Sequence, residues 1–165
     1  MNHACTPITG LCRRVVLQGA LAILVGSLPF AQRAQAADPI KIGLVTALSG
    51  QSARAGEALT RGATIAIEEI NAKGGVLGRP LEVISRDDAG RPEDAVRMAA
   101  ELVEKERVAL LAGGFFSNVG LALSEYAHAN RRLYVAGEPL ADALVWSRGN
   151  RHTFRLRPST YMQCA

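Results

Sequence analysis

The stretch GGFFSNVG, Gly113 to Gly120, holds residue types suited to gripping a carboxylate. An apolar run, VALLAG, ends in two glycines, and Ser117 then opens a helix-forming segment. The first N–H groups of a helix have no partner inside it, and the helix dipole leaves partial positive charge there. Such an end attracts anions. Ser117 offers a hydroxyl to the same anion, and Phe115 and Phe116 can wall an apolar pocket beside it. A plainer role fits the same residues, with Ser117 as a helix N-cap and the aromatic rings in the core. Both roles stay open on these residues alone.

Other reactive types carry less. Asp87 and Asp88 close a β-like segment. Paired carboxylates can hold Mg²⁺, but here the pair reads as a solvated turn that caps the next helix. His128 and His152 have no carboxylate or cysteine at a metal-ligand spacing, so no metal centre is expected. No serine, histidine and aspartate can be placed together as a catalytic triad. A dinucleotide fingerprint needs G-x-G-x-x-G between strand and helix. Gly43, Gly50 and Gly56 do not match that spacing, no phosphate-loop motif occurs, and no cofactor is expected.

The elements that must position these groups alternate. IKIGLV, from Ile40, is strand-like. Leu59, Ala63, Ala66, Ile67 and Ile70 then recur at spacings of three and four, one face of a helix. NAKGG, Asn71 to Gly75, ends it with a glycine cap. LEVIS, Leu81 to Ser85, is a second strand, and Pro92 suits the first turn of the helix that follows. In that helix Val96, Ala99, Leu102 and Val103 form the apolar stripe. VALLAG, Val108 to Gly113, is continuous and apolar, as in a central parallel strand buried on both faces. Val119, Leu123, Tyr126 and Ala127 share a face of the third helix, and LYVAG, Leu133 to Gly137, is a fourth strand. Beyond Pro139, a short helix over Ala141 to Trp146 and a strand in HTFRLRP are the expectations. The order predicts an α/β fold, a parallel sheet with helices on both faces. Ligands of open parallel sheets sit outside the carboxyl ends of the strands. The loops after the first, third and fourth strands are therefore the candidates.

The first 36 residues stand apart. Arg13 and Arg14 precede the apolar run Val15 to Leu28, shorter than the ~20 residues of a membrane span. Ala34 and Ala36 form an A-x-A site, the pattern of a secretory signal peptide cut after Ala36. Of the 19 Lys and Arg, three (Arg13, Arg14, Arg33) precede the cut, leaving 16 against 15 Asp and Glu. That balance offers no basic footprint for nucleic acid. Cys5 and Cys12 leave with the signal, so Cys164 has no partner for a disulfide. The composition, 48% hydrophobic and 21% charged, is that of a globular chain.

The segments IKIGLVTALSG, RGATIAIEEINAKGGVLGRPLEVISRDDAGRPEDAV, LLAGGFFSNVGLALSEYA and RLRPSTYMQ resemble the branched-chain amino acid type of periplasmic substrate-binding protein, which feeds ABC transporters. The resemblance runs from Ile40 to Gln163. It implies a type I periplasmic binding protein fold, two α/β lobes closing on a ligand, with residues 37–165 as an incomplete first lobe whose second lobe is missing. It implies a periplasmic solute receptor with a membrane permease as partner and no catalysis. Within it, Phe116, Ser117 and Asn118 fall in the loop that grips the ligand carboxylate. Glu138, Pro139 and Leu140 fall in the second gripping loop. Amino-acid binders usually carry a threonine about where Leu140 stands, and often an aromatic in the first loop, where Arg54 and Ala55 stand. These departures count against leucine, isoleucine or valine and towards another carboxylate, aromatic acids among them. A sensor domain of the same fold and a secreted α/β enzyme are the alternatives.

Overall fold

The computed structural model describes residues 38–165; the signal peptide expectation lies outside them. Five strands, β1 (Ile40–Thr46), β2 (Leu81–Asp87), β3 (Leu110–Gly113), β4 (Tyr134–Ala136) and β5 (Thr153–Arg155), form one sheet in the order β2-β1-β3-β4-β5. Every pairing is parallel. The helices are α1 (Ala53–Ala72), α2 (Pro92–Glu104), α3 (Ser117–Ala129) and the short α4 (Thr160–Cys164). Single 3₁₀ turns occupy Gly50–Ser52 and Asp142–Leu144. The expected alternation is present, and Leu110–Gly113 of the run VALLAG form the sheet's central strand, although Leu110 and Ala112 are only half-buried, so the strand is not buried on both faces as expected.

Period-two alternation sorts the strands' side chains between two faces. Val45, Leu111, Tyr134 and Ala136 join Ala95, Ala99 and Leu102 of α2 and Val119, Leu123 and Ala127 of α3 in one buried core. Pro92 stands in the first turn of α2, with Glu93 and Asp94 beside it where the dipole favours acids. Leu44, Ala112 and Val135 point to the other face, which α1 covers incompletely.

α1 forms as its spacing predicts and ends in the expected glycine cap. The N–H of Gly75 reaches back to the Ile70 carbonyl at 3.0 Å and that of Gly74 to Asn71, also at 3.0 Å, with both glycines at positive φ. Asn71 ties the helix to β2 through both backbone groups of Leu81, at 2.7 and 2.9 Å. The apolar stripe is nonetheless not a buried one. Leu59, Ala63 and Ile67 are half-buried, while Ala66 and Ile70 are exposed. A groove of about 610 Å³, lined by Ala58, Leu59 and Ala63 of α1 and by Leu44, Ala112 and Val135 of the sheet, lies between the first half of the helix and the strands.

The chain after Pro139 behaves as expected in outline: a 3₁₀ turn, then β5 as an edge strand. Leu156 (72% exposed), Trp146, Phe154, Tyr161 and Met162 leave apolar surface open there. Among the described residues no helix is long and apolar enough to cross a membrane.

Candidate ligand-binding site

The carboxyl ends of β1 to β4 meet at one edge of the sheet, and their loops are tied to one another. Gly113 and Gly114 turn the chain from β3 towards α3 at φ of 108° and 75°. A Cβ on Gly113 would overlap the Val45 carbonyl oxygen, and one on Gly114 would strike the Tyr134 hydroxyl, so only glycine fits this path. The Gly113 carbonyl accepts from the Tyr134 hydroxyl at 3.0 Å and from the Gly137 N–H at 2.9 Å. Burial drives the Tyr134 phenol far above its ordinary range, with the Asp88 carboxylate adding to it, so Tyr134 is a neutral donor. The Gly114 N–H donates to Val45 at 2.7 Å.

Ser117 is the first residue of α3, and Phe116 occupies the N-cap position without a side-chain cap bond. The N-cap role considered for Ser117 is thus not what its side chain does. Its Oγ accepts from the Ala141 N–H at 3.2 Å, which fastens the loop after β4 to the start of α3. A hydroxyl that accepts there keeps its own proton to donate elsewhere. Pro139 packs against Gly120 of α3, where only a glycine leaves room.

The acidic pair departs from the expected solvated turn. Asp87 Oδ1 accepts from the N–H of Leu48 at 2.8 Å and of Ala89 at 2.9 Å, so it pins the loop after β1 from 39 residues away. Burial raises its pKa, but hydrogen bonds from the Ser49 side chain and the N–H groups of Ala89, Leu48 and Ser49 outweigh that and hold it below the usual range. Asp88 is 1% exposed. Its Oδ1 accepts from Gly90 N–H at 2.7 Å, while Oδ2, like Thr46 Oγ1, is buried with no partner. Burial pushes the Asp88 carboxyl up; the Gly90 bond opposes this, and the charges of Asp87 and Asp94 reinforce it. Neither carboxylate caps α2 directly.

A cleft of about 360 Å³ opens between these loops, lined by Ala47, Ser49, Gly50, Gln51, Ser52, Ala89, Gly90 and Phe116. Phe116 is 40% exposed, its ring lies against Gly90, and Phe115 meets it edge-on with centroids 4.9 Å apart. The expected residues divide as follows. Phe116 lines the cleft. Ser117 sits one residue on, in the bond to Ala141, and Asn118 is exposed in the first turn of α3. Leu140 presents its carbonyl to Thr160 N–H at 3.0 Å. Ala55 and Glu138 line the groove under α1, and Glu138 pairs with Arg157. Arg54 is exposed on the first turn of α1. Ser49, Gln51 and Asp87 were missed. The signal for Asp87 was an aspartate at the carboxyl end of a strand in an open sheet. Among the described residues no three His, Cys, Asp or Glu gather around one point, at this cleft or elsewhere.

An open parallel sheet whose loops converge on a polar cleft at its carboxyl edge defines a ligand-binding α/β lobe. The comparisons give that class its family. Residues 39–165 match the periplasmic binding protein family model, and the chain belongs to this family. The Leu/Ile/Val-binding protein BraC3 of Rhizobium johnstonii is 36% identical over 131 residues, 79% of this chain and 35% of that protein. The Leu/Ile/Val-binding protein of Escherichia coli is 42% identical over 84 residues, half of this chain and 23% of that one. Among solved structures, an ABC transporter substrate-binding protein from Sphaerobacter thermophilus superposes with a TM-score of 0.68 at 32% identity, covering 73% of this chain and 33% of that chain. The branched-chain amino acid binding protein LivJ of Streptococcus pneumoniae, solved with isoleucine, gives 0.68 at 28% identity over 73% of this chain and 34% of that one. The chain spans about a third of the length of the curated relatives it matches.

Proposed function

We propose that residues 37–165 form the first lobe of a periplasmic solute receptor. It captures a small carboxylate, an amino acid or a related acid, for delivery to the membrane permease of an ABC importer. Export by a signal peptide cut after Ala36 belongs to the same proposal. Its support is the Ala34-Gln35-Ala36 site and the periplasmic character of the family.

The observation that carries the ligand class is the start of α3. The Gly113–Gly114 turn leads into α3, whose first N–H groups have no partner within the helix, Ser117 keeps a proton to donate, and Phe116 lines the neighbouring cleft. The carboxylate would dock on the helix end and the Ser117 hydroxyl, with its apolar part against Phe116. No bond is made or broken; the work is reversible binding. Relatives that bind leucine, isoleucine and valine support a carboxylate of amino-acid size. Leu140 and Arg54 depart from what the amino-acid binders usually carry and leave room for aromatic acids in the same class.

The test is an amide NMR titration with L-leucine, L-valine, L-phenylalanine and 4-hydroxybenzoate, which registers weak binding to a single lobe. At least one should shift Gly114 to Asn118 together with Ser49 to Ser52. Shifts confined to other surfaces, or none with any of the four, would contradict the proposal.

A further inference from the structure

Away from the cleft, α3 meets the edge strand β5, and there two histidines 24 residues apart in the chain come together. His128 Nδ1 and His152 Nδ1 are 3.3 Å apart, with ring centroids 5.4 Å apart and planes tilted by 50°. We propose that His128 and His152 form a two-histidine chelate for a divalent transition metal of the zinc or nickel class.

The geometry is the first support. Two nitrogens each ~2.0–2.1 Å from one tetrahedral ion lie about 3.3–3.4 Å apart. The observed spacing is therefore that of a shared ion as much as of a shared proton. Imidazole nitrogen suits zinc, nickel and copper. The exposure of His128 leaves the remaining coordination positions to water.

The second support is how firmly both ligands are placed. Ser124 lies one turn before His128 on α3, and its buried Oγ meets Thr153 Oγ1, beside His152, at 2.7 Å. Asn150 Nδ2 donates to the same Ser124 oxygen at 2.9 Å, and Asn150 Oδ1 accepts from the His152 N–H at 3.0 Å. The His152 carbonyl accepts from Tyr134 N–H at 2.8 Å. A polar network, buried at Ser124 and Thr153 and part-buried at Asn150, thus sets the register of helix and strand beside the rings. Ligands held in place before the ion arrives lose less freedom on binding it.

Electrostatics cut both ways. His128 stands in the last turn of α3, where the dipole favours a cation. Arg131, Arg132 and Arg151 follow or flank the pair in sequence and oppose one, while Glu125, a turn before on α3, is paired with Arg148. When both Nδ1 atoms ligate the ion, the proton between the rings leaves that nitrogen and each neutral ring carries its N–H on Nε2. A bound ion would join β5 to α3 and stabilise the edge of the sheet by mass action.

The experiment uses the untagged chain in a Cys164→Ser background, since that thiol is exposed and is itself a zinc ligand. Zinc chloride is titrated calorimetrically at pH 7.5 into this protein and into His128→Ala and His152→Ala. Each variant should lose one equivalent of zinc or bind it at least ~tenfold more weakly, because neither ring alone is a chelate. Zinc should raise the melting temperature of the parent only. Nitrogen-15 imidazole spectra of the parent, which need no variant to fold, should show Nδ1 of both histidines moving on the same zinc equivalent. Unchanged stoichiometry and affinity in either folded variant, or movement of one ring or neither, would overturn the site.

Discussion

The two faces of the sheet are built from the same five strands and are covered unequally. On one, α2 and α3 close over Val45, Leu111, Tyr134 and Ala136 until nothing of them is left to solvent beyond 1%. On the other, Leu44 is buried but Ala112 and Val135 line an open groove, and Ile70 on the inward stripe of α1 stays 37% exposed. Strand propensity and alternation are alike for both. The difference lies in helix number: two helices interdigitate over one face, and a single helix lies over the other. Amphipathic spacing predicts that a helix forms and which side it turns inward. It does not predict that a layer exists to receive that side.

Substitutions on the two faces should differ in cost. The largest effect belongs to the closed face. Leu123→Ala, deep in the core cluster, should cost ~2–5 kcal/mol by leaving a cavity among α2, α3 and the sheet. Denaturant melts read this directly, and a loss below about 1 kcal/mol would mean that this face is looser than described. Tyr134→Phe comes next. It removes the hydroxyl bond to the Gly113 carbonyl but leaves that oxygen its bond from Gly137, so the loss should be about 1 kcal/mol.

Asp88→Asn should act in the opposite direction. The folded carboxyl has a raised pKa, so the native state holds the proton more tightly than the unfolded chain does. Its favourable contribution is complete below the ordinary carboxylate range and is lost as the pH rises through the folded pKa. At pH 7, well above the ordinary carboxylate range, the buried and half-satisfied side chain is a cost. Asparagine keeps the acceptor for Gly90 and removes the charge. The variant should melt higher than the parent at pH 7, with the gap closing towards pH 3; equal melting at both would contradict it. The smallest effect belongs to the open face. Ile70→Ala, on the inward stripe of α1 yet 37% exposed, should cost less than about 1 kcal/mol, and a cost like that of Leu123→Ala would show that the face is closed in solution.

Much of this was legible in the residues. The strand-helix alternation, the parallel sheet, the glycine cap of α1 and the turn at Gly113–Gly114 follow from local patterns, because each is decided within a few residues. What was not legible depends on chain segments meeting. Asp87 reads as a turn residue until β1 and β2 pair and set it against Leu48. Ser117 reads equally as an anion ligand or an N-cap until the loop after β4 brings Ala141 to its oxygen. His128 and His152 read as unrelated until β5 adds to the sheet edge beside α3. Local spacing carries no record of these pairings, and the site depends on the first two.

On the function proposed above, the start of α3, with Ser117, binds the carboxylate of a small ligand. The most direct measurement compares Ser117→Ala with the parent for whichever of the four titrated acids binds most tightly. A hydrogen bond to a charged carboxylate contributes ~1.5–3 kcal/mol, so the variant should bind roughly ten- to a hundredfold more weakly. The lost bond to Ala141 should lower its melting temperature a little as well. Affinity equal to the parent's, with only the melting temperature lowered, would mean that Ser117 merely ties two loops together and would contradict the account.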